Sequence, residues 1–265
     1  MSAVAMALQD GWVVAKRNLT KIKRIPDLLI FSTIQPIMFV LLFAYVFGYA
    51  IPTQGVNYRE YLMPGIFVQT VAFGAGITAI GLAEDLQKGM VDRFRSLPMS
   101  RAAVLIGRTT SDLLNNVFVV TVMSLTGLIV GWRIHTDIGR ALLGYVLLLT
   151  FAYAMSWISA YIGLSVKSVE VAQSAGFIWM FPLTFLSNAF VPTGNMPTFL
   201  RTVAEWNPIS SMVLSLRDLW GNAGQERGTG LPAEHPYLLA CGWIALILVI
   251  FVPLAISRYR EAASR

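Results

Sequence analysis

Charge is what this sequence has least of. Asp, Glu, Lys and Arg make up 13% of its 265 residues, about half of the roughly 25% that coats an ordinary soluble domain. With 56% hydrophobic residues and a mean hydropathy of +0.64, that shortage excludes a free cytosolic enzyme and a disordered polypeptide alike. Cysteine is nearly absent: the single Cys241 sits in an apolar run, which excludes an intrachain disulfide framework and a thiolate metal site. Histidine occurs twice, at His135 and His235, too far apart in sequence to suggest a metal centre. Motifs for chemistry are missing as well. There is no Gly-x-x-x-x-Gly-Lys-Ser/Thr loop to cradle phosphates, no His-Glu-x-x-His and no Gly-x-Ser-x-Gly, so no intrinsic catalysis, cofactor or metal is expected in this chain.

What the sequence does have is long apolar runs. Six of them, over 28–51, 61–83, 102–131, 141–165, 171–190 and 236–257, are each long enough to cross a bilayer as a helix. They predict an all-α integral membrane protein with six transmembrane helices. No remaining stretch can build a separate core, so residues 1–265 form one membrane domain. The third run carries Arg108, Asp112, Asn115 and Asn116 near its start, which places its first turns at the interface. Asp112, four residues after Arg108, reads as an intrahelical ion pair rather than a proton site.

The net charge of +6 would suggest nucleic acid in a soluble protein, but here it reports topology. With the N-terminus cytosolic, 14 of the 20 basic residues fall on that side, among them Lys16, Arg17, Lys88, Arg93, Arg95, Lys167 and Arg258. The six outside, Arg59, Arg133, Arg140, Arg201, Arg217 and Arg227, are matched by as many acids. Both termini are therefore expected in the cytoplasm, with no nucleic-acid partner.

Three segments between and before the runs have their own character. In 1–27, Val4, Leu8, Trp12, Ala15, Leu19 and Ile22 recur at helical spacing with lysines largely elsewhere, predicting an amphipathic helix in the cytosolic lipid interface. In 84–101, the most charged stretch, Leu86, Met90, Arg93, Phe94 and Leu97 share one helical face until Pro98 ends it, predicting a short cytosolic helix. The outer connection 191–235 is apolar at its centre but interrupted by Arg201, Glu205, Asn207-Pro208, Arg217 and Asp218. Two short helices joined at Asn207-Pro208, forming a re-entrant hairpin, satisfy that pattern better than a seventh span.

The order of these parts, together with Glu84-Asp85, Gly89, Ser96-Leu97-Pro98-Met99-Ser100-Arg101 leading into Gly107-Arg108, and then Phe190-Val191-Pro192, Met196-Pro197 and Asn207-Pro208, resembles a known family. It is similar to the membrane subunit of ABC-2 type exporters, particularly the daunorubicin/doxorubicin-resistance-like permeases, over essentially the whole chain. The resemblance implies a cell (inner) membrane half-transporter. Two permease chains, identical or paralogous, pair in the lipid, and each docks a separate cytosolic ATP-binding subunit that carries the ATP and Mg.

Carried onto this sequence, the N-terminal segment becomes a connecting helix, and 84–101 becomes a coupling helix with Glu84, Asp85, Gly89, Arg93, Phe94, Arg95, Leu97 and Pro98 as docking residues. Phe94 and Leu97 would be its apolar anchors and the arginines its rim. Lys167 and Glu170 would form a minor cytosolic contact. The substrate path would run along the first, second and fifth spans past Gln35, Phe39, Gln69, Phe73, Phe177, Phe185 and Asn188, because a hydrophobic or amphipathic antibiotic, drug or lipid needs aromatic surface with a few polar groups. Export of polysaccharide or a lipid-linked glycan is the rival within the family. A stand-alone channel or secondary transporter is the rival outside it, disfavoured because Gln35, Gln69 and Asn188 lie deep in the spans without a carboxylate.

Overall fold

The computed structural model describes residues 26–47, 56–89, 101–224, 228 and 230–262, and among them every regular element is helical. Helix α1, Pro26–Leu42, runs into a π-helical turn, Phe43–Phe47. Helices α2, Tyr58–Gly74, and α3, Gly76–Gln87, follow one another with only Ala75 between them. Next come α4, Arg101–Val130, α5, Ile138–Ser165, and α6, Val169–Phe185. A 3-10 turn, Thr193–Asn195, leads to α7, Thr198–Trp206, and α8, Pro208–Trp220; a single turn, α9, Leu231–Glu234, precedes α10, Pro236–Ala262.

The starts of these helices are written locally. Asn57, Asp137 and Ser168 cap α2, α5 and α6, each side chain accepting a backbone N–H that the helix leaves free. Asn207 does the same for α8, its Oδ1 accepting from Ile209 N at 2.8 Å, with Pro208 in the first turn, where a missing N–H costs nothing. At Ala75 the N–H is shared between the carbonyls of Val71 and Ala72, so α2 and α3 join through one tightened turn flanked by Gly74 and Gly76.

Four segments are long and apolar enough to cross a membrane: Tyr58–Gln87 (α2 with α3), Val104–Val130, Ile138–Ser165 and Pro236–Ala262. They answer four of the six expected runs. The other two are shorter as helices. In the first, the apolar helical stretch is Ile34–Val46, and residues 48–51 lie outside those described. The run expected over 171–190 is helical only to Phe185, and the reason is visible in its partners. Asn207 Nδ2 donates to the carbonyls of Leu183 and Leu186, both at 2.7 Å, so a side chain takes over the bonds that further helix would have made. The chain then continues irregularly past Ser187, Asn188 and Ala189, all buried in protein. Two short helices do meet at Asn207-Pro208.

Helix α5 lies at the centre, packed on α3, α4, α8 and α10. Gly163 lets it approach α3 closely, since a Cβ there would collide with the Ala79 carbonyl. At one end of the bundle Leu82, Leu105, Trp157, Leu164 and Tyr259 cluster, which brings the end of α3, the start of α4 and the ends of α5 and α10 together. At the other end Trp220 is wholly buried among Phe67, Trp132 and Tyr145, with ring centroids 5.1 to 5.4 Å from its own. Lys88, Lys167, Arg258 and Arg260 belong to the Trp157 end, and Arg59, Arg133 and Arg140 to the Trp220 end. The amphipathic helix expected over 1–27 falls almost entirely outside the described residues.

Candidate functional site

Helices α1, α2, α3, α4 and α6 line a partly open cavity of about 280 Å³. Phe177, Phe181 and Phe185 recur every fourth residue and so lie along one face of α6. Phe181 and Phe185 are nearly parallel with centroids 5.5 Å apart, and Phe73 of α2 meets Phe181 edge-on at 5.4 Å. Polar groups come from the other helices: Gln35 from α1, Gln69 and Thr70 from α2, Asn115 and Asn116 from α4, joined by Gln173 of α6. Among the described residues no ionisable side chain is in the lining. Gln69 is 6% exposed and its Oε1 has no hydrogen-bond partner among the described residues.

Of the residues expected along a substrate path, Gln35, Phe39, Gln69, Phe73, Phe177 and Phe185 all border this one cavity. Asn188 does not. Its backbone N–H donates to Ser210 Oγ at 3.0 Å and its carbonyl accepts from Arg217, which fixes it in the irregular segment after α6. The sequence reading missed Phe181, although it stands in the same series as Phe177 and Phe185. It also missed Asn115 and Asn116, which it took only as markers of the interface.

Beside the cavity, two charges neutralise one another. Arg108 Nε lies 3.8 Å from Asp112 Oδ2, Thr78 Oγ1 donates to the same oxygen, and Arg108 Nη2 donates to the Ile77 carbonyl at 3.2 Å. The spacing of Arg108 and Asp112 announced the pair but not its partners on α3. Gly81 makes room for it, since a Cβ at that position would overlap the Arg108 guanidinium.

A third arrangement was not legible at all. Arg217, read from the sequence as one outer basic residue among six, is 2% exposed. Its Nε donates to the Tyr61 carbonyl at 2.9 Å, and its Nη2 to the carbonyls of Asn188 and Ala189 at 3.0 and 3.3 Å. The guanidinium carbon sits 3.4 Å from the centroid of the Tyr61 ring. One arginine of α8 thus ties the start of α2 to the broken end of α6.

The expected docking residues divide. Glu84 and Asp85 are partly exposed at the end of α3, where Glu84 pairs with Lys88 at 3.4 Å, and Gly89 follows with a positive φ of 62°. Arg93, Phe94, Arg95, Leu97 and Pro98 lie outside the described residues. Lys167 is exposed in the turn between α5 and α6, and Glu170 in the first turn of α6. A hydrogen bond with Ser168 holds the Glu170 carboxyl below its ordinary range. Val166 and Val169 of this turn pack on Ala79, Ala83 and Ala172, so the turn and the end of α3 are neighbours.

Comparison with known proteins follows the same lines. A family model described as ABC-2 type transporter matches residues 9–219. The daunorubicin resistance ABC transporter permease protein DrrB1 of Streptomyces coeruleorubidus is 30% identical, with 98% of this chain and 88% of that protein covered. The probable doxorubicin resistance ABC transporter permease protein DrrC of Mycobacterium tuberculosis is 24% identical, with 99% of this chain and 92% of that protein covered.

Proposed function

Because the chain belongs to the ABC-2 type transporter family, we propose that it is the permease subunit of an ATP-driven exporter for hydrophobic or amphipathic compounds, paired with a second permease chain and powered by a separate ATP-binding subunit. The observation that carries the substrate class is the cavity, where a phenylalanine wall and six amide or hydroxyl side chains surround one space with no charged side chain among the described residues. Such a lining suits a small amphipathic molecule and offers nothing to drive ion or proton coupling. The names of the two relatives, both drug-resistance permeases, support the same class.

In this reading six segments cross the inner membrane with both termini in the cytoplasm. The two shorter helices α1 and α6 complete the spans, and α7 with α8 forms an outer hairpin. The bundle end that carries Lys88, Lys167, Arg258 and Arg260 then faces the cytoplasm, in keeping with the distribution of basic residues. The end of α3 with residues up to Pro98 would dock in the ATP-binding subunit, and the adjoining Lys167–Glu170 turn would add a smaller contact. Nucleotide would favour one state of the pair through unequal affinity for the two, and the docked segment would pass that bias to the cavity.

The deciding experiment is a mild-detergent purification of the tagged chain from its native membrane, with mass spectrometry and an ATPase assay. A stoichiometric soluble subunit with a Walker A lysine is expected. A permease that is pure and without ATPase activity in several detergents would overturn the assignment in favour of a self-sufficient channel or carrier.

A further inference from the structure

The chemistry of the cavity narrows what it can hold. Among the described residues its lining has no charged side chain, and the neighbouring Arg108 stands 3.8 Å from Asp112, whose Oδ2 also accepts from Thr78, while Arg108 Nη2 donates to the Ile77 carbonyl. An ionic ligand would shed part of its hydration here and meet no counter-ion among the described lining residues, a loss larger than the faces of phenylalanine rings return to a cation. A neutral ligand avoids that loss, and a flat one gains ring contact along Phe177, Phe181 and Phe185. The volume of about 280 Å³ lies at the lower edge of small-molecule sites, which favours a compact ring system over a polymer.

One lining atom asks for a particular group. Gln69 Oε1 is buried and accepts no hydrogen bond among the described residues, a state that few buried polar atoms keep without a reason. A turn of the amide presents that oxygen to the cavity, where an N–H or O–H on the ligand would satisfy it.

We propose that this cavity selects an uncharged, flat aromatic molecule bearing a hydrogen-bond donor, with Gln69 as the acceptor that recognises it. The proposal rests on the exporter reading and deepens it. Among hydrophobic and amphipathic compounds, neutral ones bind in preference to their cationic analogues, and polysaccharide is excluded from this site.

Three pyrene probes of nearly equal shape test it, with the full-length permease in zwitterionic-lipid nanodiscs and saturable energy transfer from protein tryptophan to pyrene as the signal. 1-Pyrenemethanol is neutral and donates, 1-(methoxymethyl)pyrene is neutral and only accepts, and 1-pyrenemethylammonium donates but is charged. The alcohol should bind about tenfold more tightly than the ether, and more tightly than the ammonium compound. Gln69→Leu should erase the preference for alcohol over ether, and Gln69→Asn, which shortens the reach of the amide, should weaken the same preference.

Equal binding of alcohol and ether by the unaltered chain, tighter binding of the ether, or binding of the ammonium probe as tight as that of the alcohol would each overturn the proposal, whatever the variants do. Failure here is separable from failure of the exporter reading. A chain that prefers the alcohol but purifies with no ATP-binding subunit refutes the latter alone, and one that brings the ATPase down without the preference refutes the former alone.

Discussion

Arg217 sets the terms at the scale of single residues. A guanidinium in the interior is tolerable only when its donors are used, and here two nitrogens serve three backbone carbonyls while the ring of Tyr61 covers the cation. Replacing it by alanine strands those carbonyls in a buried place, a loss of roughly 3 kcal/mol if each costs about 1. Arg217→Lys keeps the charge but offers no fork to span Tyr61 and Asn188, so it should recover only part of the loss. Thermal unfolding of the purified chain should therefore rank the native protein above Arg217→Lys and that above Arg217→Ala. Three equal melting temperatures would show that the carbonyls do not depend on this side chain. Nothing in the local sequence, Ser215-Leu216-Arg217-Asp218, marks the residue as buried. Its partners come from residues 61, 188 and 189, and only the folded chain assembles them.

At the scale of elements, the runs 102–131, 141–165 and 236–257 were readable to within a few residues because hydrophobicity is continuous across each. The run 171–190 was not, because hydropathy cannot foresee that Asn207 will claim the carbonyls of Leu183 and Leu186. The cavity shows the same division. Phe177 and Phe185 were found through their chemistry, but the participation of α4 depended on how helices neighbour one another, which periodicity alone does not encode. The segment after α3 carries its own test. If Arg93 and Phe94 seat the permease on its ATP-binding subunit, replacing both with Asp should release that subunit, with a drop of at least tenfold in recovered ATPase, since a central apolar anchor and a rim charge are lost together. The permease itself should remain in the membrane at its usual level. Undiminished co-purification would remove these two residues from the contact.

For the whole molecule, orientation is the property on which the rest of the reading depends. Lys88, Lys167, Arg258 and Arg260 gather at the end where Trp157 packs with Leu105 and Tyr259, and the composition of that end is what retention in the cytoplasm requires. A cysteine placed at Gly228 should react with a membrane-impermeant thiol reagent on intact cells, and one at Gly89 should react only after permeabilisation, both in a Cys241→Ser background. The opposite pattern would invert the topology and move the ATPase contact to the other end.

The tightened turn at Ala75 gives this long helical segment two arms with different partners. One arm, α2, is tied at Tyr61 to Arg217, whereas the other, α3, packs on α5 and α6 and ends in the partly exposed Glu84 and Asp85. Twelve residues of helix make a lever of about 18 Å, so a tilt of about 10° at the joint displaces its tip by about 3 Å while the fulcrum hardly translates. Gly74, Gly76 and Ile77 at that fulcrum are cavity lining, which places the cavity where a push at the far end of the arm would arrive as rotation.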